Sequence, residues 1–141
     1  MGTLHPNFIV GIGGSAGGMN AYKALFDALP ANTGMAFVIV SHITPTANSQ
    51  LAQILSRHTK MTVGVARAAM PIEANHVYVI PPNADLLIKS DTFKVVSPRT
   101  RRNNQIDLLL MSLAESKGKH AIGIILSGYD GDDLDCVSFR E

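Results

Sequence analysis

Cysteine occurs once in this 141-residue chain, at Cys136. A single thiol excludes an internal disulfide framework, and no Cys/His spacing of the zinc-binding kind is present, so the chain suits a reducing compartment. Charge is also scarce. Only 16% of the residues are Asp, Glu, Lys or Arg, and the formal net charge is +1. Such a balance gives no general electrostatic reason to bind nucleic acid or an anionic membrane. The one local excess, Arg99, Arg101 and Arg102, reads as a solvated loop. No apolar run is long enough to span a bilayer, and Met1 to Asn7 lacks the basic-then-apolar plan of a secretory leader. Internal repeats, low-complexity segments and a second-domain boundary are missing too. The expectation is a cytoplasmic protein of one domain, residues 1–141, with no direct membrane insertion.

What the chain does have is apolar bulk, 46% of its residues, enough for a core with helices on both faces of a sheet. Short apolar runs alternate with helical periodicity. Phe8 to Ile12, Met35 to Val40, Met61 to Val65, Val77 to Ile80 and Ala121 to Leu126 read as buried strands. Met19 to Leu29, Ser49 to His58 and Ile106 to Ala114 read as helices, the last stopped by Gly118. Leu86 to Val96, broken at Ser90-Asp91, reads as a hairpin appended to the sheet. The rhythm predicts an α/β fold: a doubly wound, mostly parallel sheet with crossover helices and an appended β-hairpin. After Asp132 a further crossover helix is due, but Asp133 to Glu141 is too short for another βαβ step. The domain is therefore expected to be incomplete at its C-terminus.

Three of the strands are followed directly by polar residues with chemistry. Gly13-Gly14-Ser15-Ala16-Gly17 follows the first, Ser41-His42 ends the second, and Ser127-Gly128-Tyr129-Asp130-Gly131-Asp132 follows the last. In an open parallel sheet these trailing ends face one crevice, where ligands bind. A serine, a histidine and an aspartate meeting there are the minimum apparatus for acyl transfer through a serine ester.

The glycine loop supports two chemistries. Gly11, Gly13 and Ala16 satisfy G-x-G-x-x-A, a dinucleotide-binding pattern, but the second strand ends in Val40-Ser41-His42 without the carboxylate that would hold a ribose. Gly13, Ser15 and Gly17 satisfy G-x-S-x-G, a tight strand-to-helix turn that exposes the serine at its apex. In that turn the Ala16 N–H is a natural oxyanion donor. The bland alternative is a glycine-rich turn with a serine helix cap. Asp130, Asp132, Asp133 and Asp135 crowd one loop; they suit a triad acid, a turn, a helix cap or hard-cation ligands. The calcium-loop pattern is not met, and no metal or cofactor is implied. The order Ser, His, Asp differs from the Ser, Asp, His of the α/β-hydrolases.

Taken in order, these residues resemble the catalytic domain of the chemotaxis protein-glutamate methylesterases, the CheB family. The matching stretches are Ile12 to Gly18, Leu29-Pro30, Val40-Ser41-His42 with Pro45, Val77 to Asn83, Ile106 to Leu109, and Ile124 to Gly128. The Pro81-Pro82-Asn83 form resembles the branch in which this domain is often fused to a methyltransferase. The resemblance implies hydrolysis of γ-glutamyl methyl esters on the cytoplasmic helices of chemoreceptors, with glutamine deamidation in many members. It implies partners in a two-component signalling system, including fused or separate receiver and methyltransferase modules. By position it makes Ser15 the nucleophile, His42 the general base and Asp132 the triad acid, with Asp130 the fallback. The second oxyanion donor becomes the N–H of Tyr129. Two features depart from the family: Asp132-Asp133 stands where it has Asp-Gly, and its later elements, a Met-Pro segment among them, have no counterpart here. A second function class therefore stays open, a catalytically weak interaction module of the same fold.

Overall fold

A computed structural model of the chain describes residues 5–14, 19–41, 45–98, 105–127 and 136–140, with backbone alone for residues 19, 41, 45–49, 127 and 136–140. Its elements run β1 (Ile9–Gly14), α1 (Met19–Ala28), β2 (Ala36–Ser41), α2 (Pro45–Leu55), β3 (Thr62–Val65), β4 (His76–Val79), β5 (Asp85–Lys89), β6 (Thr92–Val96), α3 (Gln105–Lys117), β7 (Ala121–Ser127) and β8 (Cys136–Arg140), with one 3₁₀ turn before β7. The main sheet has the order β3-β4-β2-β1-β7-β8. Its first five strands are parallel and β8 is antiparallel to β7. This is the doubly wound, mostly parallel α/β sheet that the alternating runs predict.

The apolar runs are continuous because both faces of the sheet are covered. Along β2, Ala36, Val38 and Val40 enter one core with Leu109 and Leu113 of α3, while Phe37 and Ile39 enter the other with Tyr22 and Phe26 of α1 and Leu51 and Leu55 of α2. The switch of face at each residue is the period-two geometry of a strand. Phe26 stands edge-on to Phe37 with ring centroids 5.6 Å apart, which locks α1 onto the sheet.

Strands β5 and β6 form the expected hairpin, as a two-stranded sheet of their own. It is joined to the rest through α3 and through backbone hydrogen bonds between residues 69–72 and β6 with its turn, not through the main ladder. The Ser112 hydroxyl accepts the Ile88 N–H at 2.9 Å and donates to the Leu109 carbonyl, and the Ser116 hydroxyl donates to the Ile88 carbonyl at 2.9 Å. Lys117 Nζ reaches Asp91 at 2.6 Å, and that hydrogen bond holds the Asp91 carboxyl below its usual range. Gly118 stops α3 with φ +53°, the left-handed cap that glycine supplies without a Cβ penalty.

Two boundaries differ from the sequence reading. Helix α2 begins at Pro45, not near Ser49, and ends at Leu55. Proline is well suited to a first helical turn, where its missing N–H has no helical partner to lose. The last residues form a strand where a crossover helix was due. A short segment cannot return as a parallel strand, but it can lie antiparallel beside β7, and Cys136-Val137-Ser138-Phe139-Arg140 does so. Among the described residues no helix is long and apolar enough to cross a membrane.

Candidate active site

The centre of the sheet fixes where the three chemical stretches start. Gly14, the last residue of β1, is the ladder partner of Ser41 on one side and Leu126 on the other. Neighbouring strands lie about 4.8 Å apart, so three chain exits stand side by side at one level of the carboxyl edge. The next residue after Gly14 is Ser15, the next after Ser41 is His42, and Tyr129 and Asp132 follow the end of β7 at Ser127. Strand β1 also marks the topological switch: β2 and β7 flank it, with α1 on one face and α3 on the other. The crevice outside such a point is where α/β sheets of this kind bind ligands. Ser15, Ala16, His42, Tyr129, Asp130 and Asp132 themselves lie outside the described residues, as do Arg99, Arg101 and Arg102.

The glycines of β1 bring the helices close to that edge. A Cβ on Gly13 would stand 2.6 Å from Ile106 Cγ2, and one on Gly11 would stand 2.9 Å from Leu110 Cδ2. Both contacts are below van der Waals distance, so α3 lies directly on the backbone of β1. On the opposite face, a Cβ on Gly14 would collide with the hydroxyl of Tyr22 and stand 2.8 Å from its Cζ. The strand that leads into Ser15 is thus clamped between α1 and α3.

Tyr22, Asp85 and Gln105 are buried residues with polar groups that the sequence does not single out as site candidates. Tyr22, in the first turn of α1, is 1% exposed. Asp85 opens β5, two residues after Asn83, and is 1% exposed. Gln105 opens α3 and is 4% exposed; its Oε1 has no hydrogen-bond partner among the described residues. With Leu109, Ser112 and Leu113 it forms the buried stripe of α3, which places it one turn beyond Leu109 towards the carboxyl edge. A polar residue in register with an otherwise apolar helical stripe is the signal that marks Gln105 in the sequence.

The other histidines sit at or near the opposite, amino-terminal edge. His58 precedes β3 and its Nδ1 lies 2.8 Å from Asp27 Oδ1, tying the end of α2 to α1. His76 opens β4, with Nδ1 2.8 Å from the Ala74 carbonyl oxygen. His120 precedes β7 and approaches the Asn7 carbonyl at 3.2 Å, and His5 lies 3.9 Å from Asp91 at the hairpin turn. His42 is the one histidine of the five that follows the carboxyl end of a strand. Among the described residues no three His, Cys, Asp or Glu side chains are grouped to hold a metal ion.

The parallel order β3-β4-β2-β1-β7, with helices on both faces, defines a doubly wound α/β domain whose switch point lies at β1. Comparison with known proteins gives the family. Residues 10–138 match the family described as CheB methylesterase, and the chain belongs to it. A protein-glutamate methylesterase/protein-glutamine glutaminase of Hydrogenovibrio crunogenus is 30% identical over 130 residues, which cover 88% of this chain and 34% of that protein. A putative protein of the same description from Leptospira interrogans is 34% identical over 124 residues, covering 86% of this chain and 64% of the relative. The CheB methylesterase catalytic domain of Thermotoga maritima superposes with a TM-score of 0.79 at 28% identity, covering 86% of this chain and 67% of that one. This chain thus spans between about a third and two thirds of the length of these proteins.

Proposed function

We propose that this chain is a serine hydrolase of the chemotaxis adaptation system. It cleaves γ-glutamyl methyl esters on chemoreceptor cytoplasmic helices, releases methanol and also deamidates receptor glutamines. The observation that carries this reading is the register at the centre of the sheet, where Gly14, Ser41 and Leu126 are laddered in one row just before the residues needed for the chemistry.

In the mechanism, His42 takes the Ser15 proton as the hydroxyl oxygen attacks the ester carbonyl carbon. The N–H groups of Ala16 and Tyr129 hold the oxyanion, each donor contributing about 3 kcal/mol to the transition state. Asp132 orients the His42 ring and stabilises its imidazolium. Collapse expels methoxide, which leaves as methanol with the proton from His42. Water, deprotonated by His42, then splits the acyl-serine and frees the glutamate. For a glutamine the same steps expel ammonia. His42 must be neutral to act as base, so the rate rises with pH through its titration.

Methanol release from a methyl-esterified receptor helix tests the assignment. The reading predicts stoichiometric methanol and a free glutamate at the labelled position. Capture of the same helix without methanol release is the result expected of an interaction module, and it would contradict the hydrolase reading.

A further inference from the structure

A cleft of about 620 Å³ lies between the ends of α1 and α2, at the amino-terminal edge of the sheet. One wall is apolar: Leu29, Pro30 and Ala31, which lead out of α1 towards β2. The other is the segment after α2, from Ser56 to Lys60. It reads Ser-Arg-His-Thr-Lys, and each of those side chains can donate a hydrogen bond.

Among the described lining residues Asp27 is the one carboxylate, and it is engaged. A carboxylate only accepts, so His58 donates to it through Nδ1–H at 2.8 Å. That bond holds the ring and leaves Nε2 for another partner. Arg57 and Lys60 are exposed and enter no ion pair among the described residues. The cleft thus sets two unpaired cations and a held imidazole opposite an apolar wall. An inorganic anion would satisfy the cations and leave that wall uncovered. Leu29 and Ala31 are half-buried and Pro30 is exposed, so the wall is a strip open to solvent. A chain segment carrying both carboxylates and hydrocarbon matches both sides.

We propose that this cleft is a docking site for an acidic peptide segment of a partner protein. Glutamate or aspartate carboxylates of the partner meet Arg57 and Lys60, and its apolar side chains cover Leu29, Pro30 and Ala31. The planar guanidinium of Arg57 supplies the fork that fits a carboxylate. Position gives the cleft a use. The six residues of β2 separate this edge from the carboxyl edge, about 20 Å at the usual rise of a strand. A partner held here leaves the crevice beyond Gly14 open, so docking and turnover do not compete. The role of Ser15 does not enter this inference.

The test is the fluorescence anisotropy of a labelled peptide of alternating glutamate and leucine, titrated with the full chain. Saturable binding is expected, weakening as salt rises because exposed charges are screened. Arg57→Glu combined with Lys60→Glu is expected to raise Kd by at least about tenfold. The melting temperature stays unchanged, since both side chains are exposed. Arg57→Gln with Lys60→Gln removes the charges without reversing them and is expected to fall between that variant and wild type. Lys94→Glu with Lys119→Glu makes the same change of charge at exposed positions elsewhere and is expected to leave Kd within about twofold. No saturable binding by the wild-type chain overturns the proposal. So does equal weakening by the two charge-reversed variants, which would make the attraction general. Displacement of the peptide by an equal concentration of inorganic phosphate also overturns it and makes the cleft a small-anion site. A chain that binds the peptide but releases no methanol from a methyl-esterified helix refutes the hydrolase reading and leaves the docking site intact. Methanol release without peptide binding does the reverse.

Discussion

Ser15→Ala is expected to lower methyl-ester hydrolysis by about four orders of magnitude or more, with no change in the melting temperature. Loss of a triad nucleophile removes the covalent route altogether, and the remaining rate comes from the oxyanion donors and binding alone. His42→Ala is expected to reach nearly the same floor, because serine and histidine act as a unit and their losses do not add. The double variant should be little worse than either single one. Rates measured as methanol release under saturating substrate check this. A Ser15→Ala protein that keeps more than about a tenth of the wild-type rate would place the chemistry on another residue.

Leu109→Ala is expected to destabilise the fold by about 2–5 kcal/mol, the range for emptying a large aliphatic site in a packed core. Leu109 is 1% exposed, on the stripe of α3 that packs between the hairpin and the main sheet. Two residues on, Met111 is 65% exposed, and Met111→Ala is expected to change stability by less than about 0.5 kcal/mol. The contrast reads out which face of α3 is buried. Urea unfolding measures it as a lower midpoint with unchanged slope for Leu109→Ala alone. Equal effects at the two positions would contradict the placement of the helix. The site is affected as well. The preceding turn of α3 carries Ile106 onto Gly13, so loosening Leu109 also loosens one wall of β1, the strand that ends just before Ser15.

Much of this architecture is legible in the sequence, because burial on both faces writes a strand as an unbroken apolar run. Ala36 to Val40 is such a run, and every residue of it is buried. Gly118 was equally legible, since a helix that must stop in the left-handed region favours a residue without a Cβ. The start of α2 was harder to read. Its first turn, Pro45-Thr46-Ala47-Asn48, carries no apolar stripe, and the helical period becomes visible only from Leu51. Strand β8 is not legible from the βαβ rhythm, because an antiparallel return needs a shorter connection than the parallel continuation that rhythm implies.

The candidate site shows the same division. That Ser15, His42 and the aspartates follow three strand ends is a statement about chain order, and sequence carries it. That those strands are adjacent, in the order β2-β1-β7 and in register at Gly14, depends on pairing between segments far apart in the chain. Tyr22 was invisible as a polar residue for a related reason. Helical spacing marks it as core, and only the fold reveals that its hydroxyl lies over Gly14.

A crystal structure of the full chain after fluorophosphonate labelling tests the central claim most directly. The account predicts phosphorus bonded to the oxygen of Ser15, a ring nitrogen of His42 within about 3 Å of that oxygen, and the other ring nitrogen within reach of the Asp132 carboxylate. A phosphonate on any other residue, or a His42 ring turned away from Ser15 with no rotamer able to bring it back, would contradict it.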